Sequence, residues 1–142
     1  MQVKVKKLHP DAIIPQYQTT GAACFDIHSL DDGYIIEKPK TFRTGLSFEI
    51  PHGYVMLVFS RSGHGFKQGI RLANCVGVID SDYRGDLFVK LTPDEPGVYL
   101  TVNHGDRIAQ AMILPIPLVQ LVESDDLSDT ARGAGGFGST GA

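Results

Sequence analysis

The chain has 142 residues, a length typical of one domain, with 42% hydrophobic and 20% charged residues as in ordinary globular proteins. Its net charge of −3 excludes a polycation that coats nucleic acid, so a bound polyanion would have to be held by a few placed cations and backbone amides. No apolar run reaches the length of a membrane span, and no signal-sequence pattern opens the chain. We therefore expect a cytoplasmic protein that neither enters a membrane nor binds nucleic acid directly.

Short β-rich runs alternate with turn residues along the chain, which is typical of an all-β domain. In chain order the runs are VKVKKL, ACFDI, TFRTGLSFEI, GYVMLVFS, CVGVI, DLFVKL, GVYLTV, RIAQAMIL and PLVQLV. Their regular spacing predicts a jelly-roll-like antiparallel β-barrel or sandwich, with room for only a short helix after Arg61. Runs such as MLVF and AMIL are apolar on both faces, which predicts burial against another subunit.

The cysteines and histidines do not indicate a metal site or a disulfide. Cys24 and Cys75 lie in apolar stretches, and we expect two buried thiols. The five histidines have no paired metal-ligand spacing, so structural zinc is not expected.

The last segment, RGAGGFGSTGA, has too much glycine to build a packed element. It contains five glycines among eleven residues. We therefore divide the chain into a β-domain, residues 1–131, and a flexible arm, residues 132–142. The arm is either a disordered tail or a loop that wraps phosphates with N–H and hydroxyl donors while the ring of Phe137 stacks on a base.

The run GVIDSDYRG predicts a β-hairpin with a charged tip. Asp80, which follows the apolar strand, is ionised at neutral pH and could orient or deprotonate a water. The alternative is that Asp80 and Asp82 cap turns and solvate a loop. Tyr83 at the tip favours the functional interpretation, because an exposed tyrosine usually has a group to pack on.

Three more segments carry polar residues that suggest a site. RSGHGFKQG opens with Arg61, and the Ser62 hydroxyl and nearby amides suit an anion, although an ordinary strand-to-helix turn fits as well. In GDRIAQ, Arg107 and Gln110 interrupt an apolar run, which requires that they be paired or line a site. Asp26 in the run ACFDI fits either an edge residue or a ligand of a metal-bound water.

Taken together and in this order, the five segments resemble the five motifs of the trimeric all-β dUTPase family. The resemblance covers residues 22–141, and GVIDSDYRG, GDRIAQ and RGAGGFGSTG match the family patterns nearly letter for letter. It implies a homotrimer whose active sites are shared between subunits. It also implies Mg²⁺-assisted attack of water on the α-phosphate of dUTP, giving dUMP and pyrophosphate. That reaction limits uracil incorporation into DNA and supplies dUMP for dTMP synthesis.

The resemblance further implies a role for each matching residue. Asp80 would activate the attacking water, Asp26 would hold a water on the magnesium ion, and Tyr83 would press on the deoxyribose and exclude a 2′-hydroxyl. The uracil slot would be formed by Asn74, Gly77, Val78 and Ile79. The phosphate chain would be contacted by Arg61, Ser62, Gly63 and Gln110.

The arm would complete the site in the same way. Arg132 would pair with the terminal phosphates and Phe137 would stack on uracil. The residues expected to close over the phosphates are Gly138, Ser139 and Thr140.

Two positions depart from the family pattern. Cys24 stands where the first motif usually has glycine, and Ser60 stands where many members have proline. Neither position is expected to touch a catalytic group, although Cys24 could change the packing behind Asp26.

Two other functions compete with dUTP hydrolysis. A dCTP deaminase of the same fold needs a catalytic glutamate in the hairpin region, where this chain has aspartates, and the GGFGSTG tail favours dUTP cleavage. The second alternative is not an enzyme but a regulatory module that acts by binding other proteins. The complete motif set argues against a purely regulatory role and leaves an added one open.

Overall fold

The computed structural model describes residues 1–139. Its regular structure is a series of short strands with a single short helix, as the sequence predicts. In chain order the elements are β1 (Lys4–Lys7), β2 (Phe25–His28), β3 (Gly33–Ile36), β4 (Lys40–Arg43), β5 (Leu46–Glu49), β6 (Tyr54–Phe59), α1 (Ser62–Gln68), β7 (Ile70–Leu72), β8 (Val76–Ile79), β9 (Phe88–Pro93), β10 (Tyr99–Val102) and β11 (Arg107–Pro115).

All strand pairings in residues 1–139 are antiparallel. The largest sheet has the order β2-β11-β6-β8, and a second has the order β4-β9-β7. Two pairs, β1-β5 and β10-β3, complete the barrel. Most neighbours in these sheets are distant in sequence, so the chain crosses repeatedly between sheets. The prediction of a jelly-roll-like antiparallel architecture is confirmed.

The core follows from the two-residue period of the strands. In β9, Val89 and Leu91 point inward and are buried, whereas Phe88 and Lys90 point outward and are exposed. Side chains from both large sheets meet in one hydrophobic cluster, in which Ile27, Phe42 and Met56 are fully buried. The same alternation decides which residues of β8 and β9 are left to line a site.

The run TFRTGLSFEI forms two strands because the chain turns between them. Gly45 has a φ of 67°, a left-handed conformation that favours glycine. A Cβ there would lie 3.0 Å from Leu30 Cδ2 and 3.1 Å from Ala12 Cβ. The bend sends β4 to one sheet and β5 to another.

The run PLVQLV is not a strand in this structure, which corrects the sequence prediction. β11 ends at Pro115, and the apolar side chains beyond it are exposed: Ile116, Leu118, Val119, Leu121 and Val122. A strand needs a partner for its peptide groups, and residues 1–139 of one chain offer none to this segment.

The expectation of two buried thiols is wrong. Cys24 is only half-buried, and Cys75 is exposed. Cys75 lies in the tight turn before β8 with a φ of 62°, and this turn carries its side chain out of the apolar run. Both thiols are free.

The helix α1 has seven residues and buries none of them. No helix in residues 1–139 has the length and apolar character that a membrane crossing requires.

Candidate active site

The predicted hairpin reverses the chain, but its two strands do not pair with each other. β8 pairs with β6, and β9 pairs with β4 and β7. The prediction of a paired hairpin is therefore wrong, because each strand has a better partner in its own sheet. The strands diverge and leave a slot between them. β8 is also the edge strand of its sheet, so peptide groups on its free side remain available to a ligand.

The slot is a cavity of about 520 Å³. All four residues predicted to hold uracil line it: Asn74, Gly77, Val78 and Ile79. Gly77 keeps β8 close to β6, since a Cβ there would lie 3.1 Å from Val58 Cβ. The structure therefore brings the predicted base-binding residues to one place.

A second cavity of about 240 Å³ adjoins the slot and contains Asp80 and Tyr83. The two cavities share lining residues: Val78, Ile79, Leu87 and Phe88. Together they form one groove that runs from Asn74 to Asp80, which we call the slot groove.

Asp80 sits at one end of the slot groove, immediately after β8. Its backbone carbonyl accepts a hydrogen bond from the Tyr83 N–H at 3.2 Å, which closes the turn. The Asp80 carboxylate is exposed and forms no hydrogen bond or ion pair with any residue in 1–139. The Asp80 carboxylate is therefore available as a proton acceptor at the end of the groove. Because Asp80 lies outside the strand, the two-residue spacing does not place Asp82 on the same face.

Tyr83 is fixed beside Asp80 by its own chain. Its hydroxyl donates to the Asp86 carbonyl at 2.9 Å. Its ring lies over Gly85, where a Cβ would come within 3.0 Å of Tyr83 Cε2. Any side chain at position 85 would displace the ring, which explains the glycine.

A cluster of opposite charges forms where β2, β11 and the end of β6 meet. Asp26, with only 8% of its surface exposed, accepts from Arg61 Nε at 3.0 Å and from Arg107 Nη1 at 3.1 Å. Arg61 Nη1 also donates to the Arg107 carbonyl at 3.0 Å. Each carboxylate oxygen of Asp26 is therefore engaged by a guanidinium, which fixes the direction of Arg61.

The remaining predicted phosphate contacts lie around this cluster. Gln110 is opposite Asp26 in the strand register, and its Nε2 donates to the Ser60 carbonyl at 3.0 Å. The requirement that Arg107 and Gln110 be paired is met. Ser62 and Gly63 begin α1 immediately after Arg61. Ser60, at the position where the family often has proline, accepts from the Leu72 N–H through its hydroxyl at 2.8 Å.

Two half-buried histidines flank the charge cluster. Burial lowers the pKa of His28, and the positive charges of Arg107 and Arg61 lower it further while Asp26 opposes the shift. Burial and Arg61 also lower the pKa of His64. Both imidazoles are therefore mainly neutral at pH 7, and the positive charge of the cluster comes from its arginines.

Cys24, the other departure from the family pattern, lies close to Asp26. Burial raises the pKa of its thiol, and the negative charge of Asp26 adds to the shift. The side chain is thus a neutral thiol at pH 7.

The described part of the arm makes only local contacts. Arg132 Nε donates to the Gly135 carbonyl at 2.8 Å, and the Ser139 N–H donates to the Gly136 carbonyl at 3.1 Å. Phe137 is fully exposed. The structure does not bring Arg132, Phe137, Gly138 or Ser139 to the slot groove, and Thr140 lies outside the described residues.

The described residues offer few ligands for a resident magnesium ion. No group of three or more His, Cys, Asp or Glu side chains in residues 1–139 could hold a metal ion. Mg²⁺ usually keeps several waters and binds one or two carboxylates together with substrate phosphates. Asp26, already neutralised by two guanidiniums, fits an ion that arrives on a triphosphate and is held through water. It does not fit a resident ion.

Sequence reasoning did not single out several residues that line the slot groove, among them Thr41, Leu87, Phe88 and Lys90. The alternation in DLFVKL contains the signal for two of them, since Val89 and Leu91 must face the core and Phe88 and Lys90 must then face outward.

Comparisons with known proteins agree with this geometry. The dUTPase family model matches residues 10–141. A deoxyuridine 5′-triphosphate nucleotidohydrolase from Nautilia profundicola is 49% identical, with 99% of each chain covered. One from Wolinella succinogenes is 41% identical, covering 99% of this chain and 95% of that protein. The dUTPase of Staphylococcus bacteriophage 80alpha, solved with dUPNHPP, is 27% identical with a TM-score of 0.92 and 99% of each chain covered.

The family match and the nucleotidohydrolases that this chain resembles over 99% of its length identify a hydrolase of the all-β class. The chain belongs to the dUTPase family.

Proposed function

We propose that this chain hydrolyses dUTP to dUMP and pyrophosphate through attack of a water molecule on the α-phosphorus, assisted by Mg²⁺. The observation that carries the proposal is the free carboxylate of Asp80 at the end of a base-sized slot. The product dUMP serves dTMP synthesis, and removal of dUTP limits uracil incorporation into DNA. The free thiols Cys24 and Cys75 are typical of a reducing compartment and support a cytoplasmic location.

The slot reads the base. Peptide groups on the free edge of β8 supply donors and acceptors for the O4 and N3–H edge of uracil, and Asn74 adds a side-chain amide. Cytosine presents the reverse pattern at these two positions. The family resemblance further implies that the slot leaves no room for the methyl group of thymine.

Tyr83 reads the sugar. Its hydroxyl is held by the Asp86 carbonyl, so the ring is a rigid wall beside Asp80. The deoxyribose packs against this wall, and a 2′-hydroxyl would collide with it. Ribonucleotides are rejected by this contact.

Asp80 activates the water. Its carboxylate has no protein partner in residues 1–139, so it is able to accept a proton from a water placed between it and the α-phosphate. The water attacks the α-phosphorus and pyrophosphate leaves.

Within one chain Phe59 pairs with Val76, so Arg61 lies near the Asn74 end of the groove, and we propose that the phosphate chain meets the Arg61 of a neighbouring subunit. Asp26 orients Arg61 through the 3.0 Å ion pair, and Ser62, Gly63 and Gln110 lie around the same cluster and would add hydroxyl, backbone and amide donors. Asp26 would hold, through water, a magnesium ion carried on the triphosphate, and that ion would supply charge neutralisation. The charge of the triphosphate requires such help, since the chain itself has a net charge of −3.

The arm closes the site in this proposal. Arg132 pairs with the terminal phosphates, and Phe137 covers uracil. Backbone and hydroxyl donors of Gly138, Ser139 and Thr140 surround the phosphates. Because the arm makes only local contacts within one chain, we propose that it closes over a site shared with a second subunit.

Substrate choice tests the proposed function. With Mg²⁺ present, dUTP is expected to be cleaved far faster than dTTP, dCTP or UTP. The slot discriminates against the base edge of cytosine and the methyl group of thymine, and Tyr83 discriminates against the 2′-hydroxyl of UTP. Incubating the protein with each nucleotide separately and identifying products by chromatography measures this. Turnover of dCTP to dUTP or dUMP at a comparable rate would favour the deaminase alternative.

Assembly is the second expectation of the proposal. The apolar side chains at residues 116–122 are exposed in one chain, and we propose that they are buried against neighbouring subunits of a homotrimer. Light scattering should report three chains per particle. Leu121→Asp, which places a charge in the run, should dissociate the trimer and abolish activity. Leu127→Asp, in the polar segment that follows, is the matched control and should change neither. A fully active monomer would contradict the trimer.

A further inference from the structure

We propose that Lys90 is a specificity-determining residue of the base slot, whose ammonium group donates to O4 of uracil and opposes the amino group of cytosine. The inference rests on the proposed function, because it assumes that the slot holds a pyrimidine.

Lys90 lies on the face of β9 that points away from the core. It lines the 520 Å³ cavity together with Asn74. Val89 and Leu91 on either side are buried, so the strand alternation turns Lys90 to the opposite face. The backbone carbonyl of Lys90 accepts from the Ala73 N–H at 2.8 Å, which anchors β9 next to the turn that carries Asn74.

The polar side chains of this cavity lack partners in the described chain. The Lys90 ammonium forms neither a hydrogen bond nor an ion pair with any residue in 1–139, and the side chains of Thr41 and Asn74 form no hydrogen bond there either. Three residues with unused side-chain donors therefore line one cavity. A ligand that offers acceptors to this cavity would be favoured.

The direction of the nucleotide follows from the chemistry of uracil. N1 carries the sugar, and the ring atom opposite N1 is C4, which bears O4. The sugar lies beside Asp80 and Tyr83 in the smaller cavity. O4 therefore points toward the other end of the slot groove, where Asn74 and Lys90 lie.

Lysine discriminates at this position because it donates and never accepts. Uracil places a carbonyl oxygen at C4, which accepts from the ammonium. Cytosine places an amino group there, and two donors then face each other. A hydrogen bond to a charged group is worth roughly tenfold or more in affinity.

The phosphates lie beyond the sugar, at the Asp80 end of the slot groove and away from Asn74 and Lys90. A direct contact with the base therefore predicts that the effect of Lys90 persists with a nucleoside that has no phosphate. If Lys90 acted only by general attraction to the triphosphate, its effect would disappear with such a nucleoside. This difference separates the two roles.

The test compares Lys90→Met, which keeps the aliphatic stem and removes the donors, with Lys90→Arg, which keeps them. Lys6→Met is the matched control, because Lys6 is an exposed lysine on β1 that does not line the cavity. We expect Lys90→Met to raise KM for dUTP roughly tenfold with kcat within about twofold. Lys90→Arg should restore most of the loss, and Lys6→Met should match the wild type.

Binding of deoxyuridine and deoxycytidine, followed by NMR titration of the trimer, supplies the second measurement. The preference for deoxyuridine over deoxycytidine should fall by a similar factor in Lys90→Met. An unchanged preference, or a loss seen with dUTP but not with deoxyuridine, would overturn the proposal. If the wild type fails to cleave dUTP, the proposed function fails, and the nucleoside titration still decides the role of Lys90.

Discussion

Asp80→Asn is expected to lower kcat for dUTP by about 10²-fold or more while leaving the Kd of the nucleotide nearly unchanged. The amide keeps the shape of the carboxylate but cannot accept a proton from water. Asp80 makes no hydrogen bond or ion pair through its side chain in residues 1–139, so the substitution removes no contact that holds the fold. Steady-state kinetics and titration with a non-hydrolysable dUTP analogue measure the two quantities.

Asp82→Asn is the matched control for this experiment. Asp82 is also exposed and carries the same charge, but it lies in the turn beyond Asp80 and lines neither cavity. Its substitution should change kcat by less than about threefold, as expected for a residue that takes no part in proton transfer. Near-normal turnover in Asp80→Asn together with a collapse in Asp82→Asn would move the base to Asp82.

Removal of residues 132–142 should lower kcat/KM for dUTP by about 10²-fold or more, because the arm donates to the phosphates and excludes bulk water. The fold and the trimer should survive, since the described residues of the arm bond only to one another and to Thr130. Circular dichroism and light scattering check the second expectation. Phe137→Ala should reproduce part of the kinetic loss.

Amide hydrogen exchange separates an ordered lid from a passive tail. Ordering one residue costs roughly 1–2 kcal/mol, so glycine-rich residues should become protected only when nucleotide supplies compensating contacts. Protection should appear with a non-hydrolysable dUTP analogue and Mg²⁺ and be absent without them. Full activity in the truncated protein, or equal protection in both states, would show that the segment is a tail.

The local patterns of the sequence predicted most of the individual strands. The β-rich runs GYVMLVFS, DLFVKL and RIAQAMIL correctly predicted β6, β9 and β11, and the glycines after Arg61 correctly limited α1 to a short helix. These elements follow from β-rich composition and from turn residues, which are local properties.

Pairing could not be predicted in the same way. β8 and β9 are joined by a short turn, yet each bonds to strands elsewhere in the chain, and their separation creates the slot groove. The segment at residues 116–122 has a strand-like composition but no partner within residues 1–139. Which strands meet is decided by contacts distant in sequence, or by another subunit.

In the candidate site, too, some features could be predicted from local sequence and others depend on contacts between distant parts of the chain. Asp80 could be singled out from its place after an apolar strand, and Asn74 and Gly77 from the family resemblance alone. The double engagement of Asp26 by two arginines could not be predicted, because it joins β2, β11 and the residue that precedes α1. Lys90 belongs to no motif and is found only through the cavity it lines.

Hydrolysis in ¹⁸O-labelled water tests the central claim most directly. After a single turnover of dUTP with Mg²⁺, mass spectrometry of both products locates the oxygen that came from water. Attack on the α-phosphorus predicts one ¹⁸O in the phosphate of dUMP and none in pyrophosphate. Label in pyrophosphate, or dUTP left intact, would contradict the proposed reaction.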